Sequence, residues 1–108
     1  MKENLLQIIK HYGVLLQLKH FNSEVFELTE AIINAENNRL IGISRKPSKL
    51  AIEHIVEEIA DVLNMVEQFM YYYDIDIQDV IEIKHQKIDR TISRIEEGYY
   101  DKWDLERY

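Results

Sequence analysis

Apolar residues recur along the chain at intervals of three and four, the spacing that puts them on one face of an α-helix. Gly13 and Gly98 are typical residues for ending a helix, and Ser48 and Asp76 are typical N-caps. The pattern therefore predicts four helices, over about residues 2–11, 14–36, 48–73 and 76–97, with the main loop at 37–47.

The three longer predicted helices each carry an apolar stripe, which we expect to face the core. The stripe of the second helix consists of Val14, Leu18, Phe21, Val25, Leu28, Ile32 and Ala35. The stripe of the third consists of Ile52, Ile55, Ile59, Val62, Val66, Phe69 and Tyr73. The stripe of the fourth consists of Ile77, Ile81, Ile88, Ile92 and Ile95.

Composition supports an all-α helical bundle built as a single domain over residues 1–108. The chain is 46% hydrophobic and has only three glycines and one proline, too few turn residues for a sandwich or barrel. Its net charge of −7 disfavours nucleic acid and anionic membranes as partners. Without cysteine or an apolar span, the chain is expected to be cytoplasmic. The pattern assigns no element to residues 99–108.

A second stripe runs beside the apolar one on each of the two central helices. On the second helix it includes Gln17, His20, Glu24, Glu27 and Ala31. On the third it includes His54, Glu58, Asp61, Met65, Gln68 and Tyr72. Each stripe thus holds two carboxylates at positions i and i+3, which share one face of a helix.

Two facing acidic pairs require a cation, because like charges brought together across a helix contact repel one another. Oxygen ligands without cysteine favour a hard ion, so Mg²⁺ or Mn²⁺ is expected at Glu24, Glu27, Glu58 and Asp61. Either pair alone is ordinary on a solvated face. The prediction comes from finding both beside apolar stripes on separate helices.

The alternative to a Mg²⁺ site is a di-iron site in a helical bundle. Such a site needs a Glu-x-x-His motif on each of two helices. The chain has one such motif, Glu82 to His85, on a side of the fourth helix away from its apolar stripe. We therefore expect that pair to lie at the surface.

The acidic motifs resemble those of the MazG-like all-α nucleoside triphosphate pyrophosphohydrolases, which carry Glu-x-x-Glu on one helix and Glu-x-x-Asp on the next. The resemblance extends over about residues 12–98. It is carried by Tyr12-Gly13, Gln17, Ser23-Glu24-Val25-Phe26-Glu27-Leu28, Glu57-Glu58-Ile59-Ala60-Asp61-Val62-Leu63 and Lys84-His85-Gln86-Lys87-Ile88-Asp89-Arg90.

The resemblance implies that Glu24, Glu27, Glu58 and Asp61 are Mg²⁺ ligands and form the catalytic centre. It also implies cleavage of a (deoxy)nucleoside triphosphate to the monophosphate and pyrophosphate by a homodimer or homotetramer. The number of ions and the general base stay open.

Basic residues on the fourth helix share one sector, as expected of a phosphate clamp. Lys84, Lys87 and Arg90 are the predicted phosphate-binding residues, and pairing with surface acids is the alternative. Two other functions stay open for the whole chain. One is a phosphoribosyl-ATP pyrophosphatase, and the other is a noncatalytic helical module for dimerisation or regulation.

Overall fold

A computed structural model describes residues 1–98, which form four α-helices with no β-strand among them. The all-α prediction and the number of helices are therefore confirmed. The tail of residues 99–108, to which the sequence assigned no element, lies outside the described residues. The helices are α1 (Lys2–Tyr12), α2 (Val14–Ile41), α3 (Lys49–Tyr72) and α4 (Ile77–Glu96).

The predicted helix ends are set by local hydrogen bonds and by glycine. The Ser48 hydroxyl accepts a hydrogen bond from the Ala51 N–H at 3.2 Å, and an Asp76 carboxylate oxygen accepts one from the Gln78 N–H at 2.9 Å. Both side chains satisfy a backbone donor that the first helical turn leaves free. Gly13 has a φ of 87° and is the only residue between α1 and α2.

The predicted end of α2 at Glu36 is wrong, because the helix continues to Ile41. The two asparagines after Glu36 do not end the helix, because asparagine costs a helix only a fraction of a kcal/mol, well below about 1 kcal/mol. Arg39 contributes side-chain bonds that favour the additional turn. Its Nε donates to Glu36 at 2.6 Å and its Nη1 donates to the Ser44 carbonyl at 3.0 Å, so it ties the last turn to the loop.

The chain leaves α2 through a Schellman motif whose left-handed residue is Ile43, with a φ of 51°. The Ile43 N–H donates to the Leu40 carbonyl at 3.2 Å, and the Ser44 N–H donates to the Arg39 carbonyl at 2.9 Å. Gly42, the residue suited to that conformation, is right-handed with a φ of −79°. A β-branched residue therefore occupies a position that glycine would adopt without strain.

The chain divides into two compact units, and the first, Met1–Asp74, contains α1, α2 and α3. Within it α2 packs along α3, and α1 lies against both. Ile9 of α1 is completely buried, and Phe21 of α2 meets Phe69 of α3 edge to face at 5.9 Å. The other buried apolar residues are Ala31, Ala35, Met65 and Met70.

The prediction that the apolar stripes form the core is only partly right. On α2 Val25 and Ile32 are 38% and 43% exposed, and on α3 Ile59 is 42% exposed. The most deeply buried side chains of these helices come largely from the neighbouring stripes, which carry polar residues. A 3.6-residue period shows which residues share a face, but not which of two adjacent faces meets the partner helix.

The second unit begins at Ile75, and its described secondary structure is α4. No residue of α4 is buried, and Ile88, Ile92 and Ile95 are each about half exposed. Its apolar stripe is therefore present as predicted but largely uncovered in the described part of the chain. None of the helices described is long and apolar enough to cross a membrane.

Candidate functional site

The second stripes of α2 and α3 meet face to face. Near the start of α2, the Gln17 side-chain amide donates to Gln68, near the end of α3, at 2.8 Å. Further along α2, Glu24 and Glu27 meet Glu58 from the middle of α3. Since advancing along α2 means going back along α3, the two helices are antiparallel. The predicted juxtaposition of acidic residues from both helices is present.

Glu24, Glu27 and Glu58 form a three-carboxylate cluster, in which one oxygen of each lies within 4.8 Å of the others. The Glu24 side chain is 14% exposed and that of Glu58 is 12% exposed, whereas Glu27 is exposed. The cluster therefore has two inner carboxylates and one at the mouth. Solvent reaches it from the side of Glu27.

Each inner glutamate directs one oxygen at a histidine one turn earlier on its own helix. Glu24 Oε1 lies 2.9 Å from His20 Nε2, and Glu58 Oε1 lies 3.8 Å from His54 Nε2. The second oxygen of each, Oε2, is buried and has no hydrogen-bond partner. Two carboxylate oxygens without a protein partner are costly in a folded protein unless an ordered water or a ligand satisfies them.

Burial and mutual repulsion act on both inner carboxyl groups. Burial raises the pKa of Glu24, the charges of Glu27 and Asp61 raise it further, and the hydrogen bond with His20 opposes the rise. Burial also raises the pKa of Glu58, with Glu27 and Asp61 adding to the effect and His54 opposing it. Without a cation, both groups therefore hold their protons more tightly than an ordinary glutamate.

A hard divalent cation fits the cluster. The donors are carboxylate oxygens from three side chains, the ligand type preferred by Mg²⁺. Two of those side chains offer a buried oxygen that no protein group satisfies. A cation there would offset the burial and the repulsion that raise the pKa of Glu24 and of Glu58. Exposed acidic clusters are common without an ion, so the buried oxygens are the observation that points to a ligand.

Asp61, the fourth predicted ligand, stands beside the cluster. Its oxygens are not among the three that approach within 4.8 Å. Its charge nevertheless raises the pKa of both Glu24 and Glu58, so it contributes to the same electrostatic centre. Asp61 and Glu24 also line the same cleft.

That cleft has a volume of about 210 Å³ and lies between the first three helices. Glu24 and Asp61 bring two carboxylates to it, and Gln17 and Gln68 contribute a pair of amides. No lysine or arginine is among its described lining residues. The remaining lining residues are Leu5, Ile8, Tyr12, His20, Asn64 and Met65.

The predicted phosphate-binding residues lie on α4, in the second unit. Lys84, Lys87 and Arg90 are all exposed, and Lys84 and Lys87 border an apolar groove along their own helix. Their role in phosphate binding stays a prediction. Glu82 and His85 are exposed as well, in agreement with the surface position expected for that pair.

The histidine partners of the inner glutamates were not predicted as site residues, although their spacing carries a signal. His20 and Glu24 are four residues apart, as are His54 and Glu58, so each pair shares a helix face. The contact between Gln17 and Gln68 had no such signal. Glutamine on a helix face does not reveal whether its partner lies in water or across a helix contact.

Comparison of the chain with protein-family models, with curated proteins and with solved structures finds no match. The features that bear on function are therefore those of the chain itself, above all the buried oxygens of Glu24 and Glu58 that have no protein partner.

Proposed function

We propose that this protein is a Mg²⁺-dependent nucleotide pyrophosphohydrolase. It adds water across the α–β phosphoanhydride of a (deoxy)nucleoside triphosphate and releases the nucleoside monophosphate and pyrophosphate. The observation that carries the proposal is the pair of buried, unpartnered oxygens of Glu24 and Glu58, brought together by antiparallel helices beside a cleft. The resemblance of the paired acidic motifs to MazG-like enzymes supports the same chemistry.

Glu24, Glu27 and Glu58 are the proposed ligands, with Asp61 as a fourth acidic group beside them. Bound there, Mg²⁺ or Mn²⁺ supplies charge neutralisation for phosphate oxygens and makes a nearby water more acidic. The chain itself fixes the ligand oxygens on two rigid helices and keeps two of them away from bulk water. Ligands held on helices are positioned more accurately than ligands on loops.

A carboxylate oxygen of the cluster also accepts the proton lost by the attacking water. The new bond joins the water oxygen to phosphorus, and the bond that breaks is the one to the bridging anhydride oxygen. General-base assistance of this kind requires a carboxylate within hydrogen-bond reach of the water. Glu24, Glu27 and Glu58 are the three candidates, and Glu27 is the one open to solvent.

The cleft beside the cluster suits the uncharged end of a nucleotide. Its described lining has apolar side chains such as Leu5 and Ile8 together with amides such as Gln17, and it lacks lysine and arginine. A volume of about 210 Å³ is below the roughly 300–1,000 Å³ of complete ligand pockets, so it holds part of a nucleotide. We assign the phosphates to the carboxylate side.

Lys84, Lys87 and Arg90 of α4 are the proposed phosphate-binding residues. These side chains are exposed and therefore able to meet a ligand or another chain. Replacing all three by alanine is expected to raise KM for the triphosphate more than it lowers kcat, because cations that bind ground state and transition state alike act on binding. An unchanged KM would show that these three residues do not bind the substrate.

We also propose that the chain assembles as a homodimer or homotetramer. The support is the half-exposed apolar stripe on α2, with Val25 and Ile32, and on α3, with Ile59. Contiguous apolar surface of this kind on a folded chain marks a protein contact. A monomeric mass by light scattering at micromolar concentration would argue against it.

A panel of nucleotides tests the proposed reaction. Purified protein is incubated with Mg²⁺ and each of the common ribo- and deoxyribonucleoside triphosphates, and with phosphoribosyl-ATP. Pyrophosphate and the corresponding monophosphate are measured, with a chelator control. We expect both products from at least one triphosphate and neither with chelator. Release from phosphoribosyl-ATP alone would favour the phosphoribosyl-ATP pyrophosphatase, and no release from any substrate would contradict the proposal.

A further inference from the structure

Gln17 and Gln68 make the one side-chain hydrogen bond that joins α2 to α3 among their described residues. The Gln17 Nε2 donates to the Gln68 Oε1 at 2.8 Å, and each side chain is only 3% exposed. The Gln68 Nε2 lies 3.7 Å from the Met65 sulfur, a weak acceptor. Two amides are thus buried near one end of the α2–α3 contact, and the pair gains only one strong hydrogen bond.

Such a pair gives little net stability, because burying amides costs most of what their hydrogen bond returns. Unlike a contact between two apolar side chains, its hydrogen bond depends on the geometry of the donor and acceptor. A buried polar pair is satisfied at one alignment of the helices and unsatisfied at every other, which is how a buried asparagine sets the register of a coiled coil.

The amide pair is aligned with the carboxylates. Glu24 follows Gln17 by seven residues on α2, and Asp61 precedes Gln68 by seven residues on α3. Seven residues are close to two helical turns, so each carboxylate shares its helix face with the amide. In an antiparallel pair the amide bond therefore sets Glu24 opposite Asp61 and, about one turn further on, Glu27 opposite Glu58.

The carboxylates themselves oppose this alignment. One oxygen each of Glu24 and Glu27 on α2 and of Glu58 on α3 lies within 4.8 Å of the others, so like charges repel across the contact. A slide of one helix along the other would relieve that repulsion. Phe21 and Phe69 meet edge to face beside the amide pair, whereas the buried apolar residues of α2 beyond the carboxylates, Ala31 and Ala35, are small and offer few interlocking shapes against sliding.

We infer that the Gln17–Gln68 hydrogen bond is a positioning contact that fixes the register of α2 against α3 and so holds the acidic cluster together. Both glutamines are positioning residues, because they act through the carboxylates. The consequence for Mg²⁺ rests on the proposed function, whereas the register itself does not.

The test uses the double variant Gln17→Met/Gln68→Met, which keeps the size of both side chains and removes the bond. The natural chain has no cysteine, so Lys19→Cys on α2 and Glu53→Cys on α3 provide the only two sites for spin labels. Both positions are exposed. Labelled chains are diluted with unlabelled chains, so that the measured distance is the one within a chain. Gln7→Met, the same change at an exposed position of α1, is the control.

In the wild-type background we expect one narrow distance distribution. In the double variant it should broaden or shift by up to about 5 Å, the rise of one helical turn, while the helical circular dichroism signal is retained. Affinity for Mg²⁺ should fall by about tenfold or more, as is typical when the groups that support metal ligands are removed. Gln7→Met should change neither quantity.

A distance distribution that stays narrow and unshifted in the double variant would overturn the inference, whatever happens to Mg²⁺ affinity. A shifted distribution in the variant, combined with no Mg²⁺ binding by the wild type, would uphold the positioning contact and contradict the proposed metal site. The two failures are therefore distinguishable. Unfolding of the double variant with loss of the helical signal would also count against the inference, because it would make the pair a requirement of folding.

Discussion

Glu57 and Glu58 are neighbours on α3 and have the same side chain, but they lie in different environments. The Glu57 side chain is 77% exposed, whereas that of Glu58 is 12% exposed. His54 stands near both, 4.0 Å from Glu57 and 3.8 Å from Glu58. Of the two, only Glu58 has a buried oxygen without a hydrogen-bond partner, and burial raises the pKa of Glu58.

The next residue, Ile59, adds a third environment, because it is apolar and yet 42% exposed. Three consecutive positions thus face water, the acidic cluster and an uncovered apolar surface. The difference shows that residue type alone does not assign a role on this helix. A step of about 100° around the axis is enough to change what a side chain meets.

The largest expected effect is a difference in turnover between the variants Glu58→Gln and Glu57→Gln. Glu58→Gln keeps the shape and removes the charge, so turnover with Mg²⁺ should fall at least about 100-fold, given that even groups outside the first coordination shell cost 10–100-fold. Glu57→Gln should stay within about twofold of wild type, as for most exposed positions away from a site. Pyrophosphate release measures both. Equal losses of turnover in the two variants would contradict the special role of Glu58.

A substitution at Ile59 tests whether the uncovered apolar surface is a contact between copies of the chain. Ile59→Asp places a charge in the apolar stripe that we assign to a contact between copies of the chain, so the oligomer should dissociate toward monomers at micromolar concentration. The helical signal should persist, because Ile59 is half exposed within its own chain. Light scattering gives the mass, with Glu57→Gln as the matched control. An unchanged mass would place the contact elsewhere.

A smaller effect concerns stability and pH without divalent cations. A carboxyl group whose pKa is raised on folding binds more protons in the folded state, so its contribution to stability falls as pH rises from the ordinary value of 4.5 through the raised pKa. Thermal unfolding with a chelator should therefore show a steeper loss between acidic and neutral pH in the wild type than in Glu24→Gln/Glu58→Gln.

At neutral pH, Mg²⁺ should reverse the order of the melting temperatures of the wild type and the double variant Glu24→Gln/Glu58→Gln. Without metal the double variant should melt above the wild type. Saturating Mg²⁺ should raise the melting temperature of the wild type but not that of the double variant, by mass action on the folded state. Glu57→Gln should follow the wild type under both conditions. A wild type that melts highest in chelator would mean that the inner carboxylates are satisfied without a cation.

The smallest effect concerns the end of α2, away from the cluster. Ile43→Gly removes left-handed strain of about 1–2 kcal/mol and adds about 0.5–1 kcal/mol of backbone entropy cost, so the free energy of unfolding should rise by up to about 1.5 kcal/mol. Ile41→Gly, two residues earlier at the last position of α2, should lower it by about 0.5 kcal/mol. Urea unfolding measures both. Changes of the same sign would contradict the left-handed conformation of Ile43.

Much of the fold follows from local patterns. The caps at Ser48 and Asp76 and the break at Gly13 were predictable because each acts through its own backbone turn. The end of α2 was not, because the bonds of Arg39 to Glu36 and Ser44 depend on a loop shape that the local pattern does not contain.

The sequence predicted which residues form the acidic cluster, but not how they are arranged or how deeply they are buried. Regular spacing placed Glu24 and Glu27 on one face, and the structure brings them to Glu58. Spacing could not show that Asp61 stands beside the three, nor that the polar stripe is buried more deeply than the apolar one. Both depend on how two helices are rotated against each other, which is a property of their contact.

The most direct test is calorimetric titration of Mg²⁺ into metal-free wild type, Glu58→Gln and Glu57→Gln at neutral pH. The cluster predicts saturable binding to the wild type and to Glu57→Gln with similar affinity, and no measurable binding to Glu58→Gln. Absence of binding to the wild type, or equal binding to all three proteins, would contradict the claim that the buried oxygens of Glu24 and Glu58 are satisfied by a divalent cation.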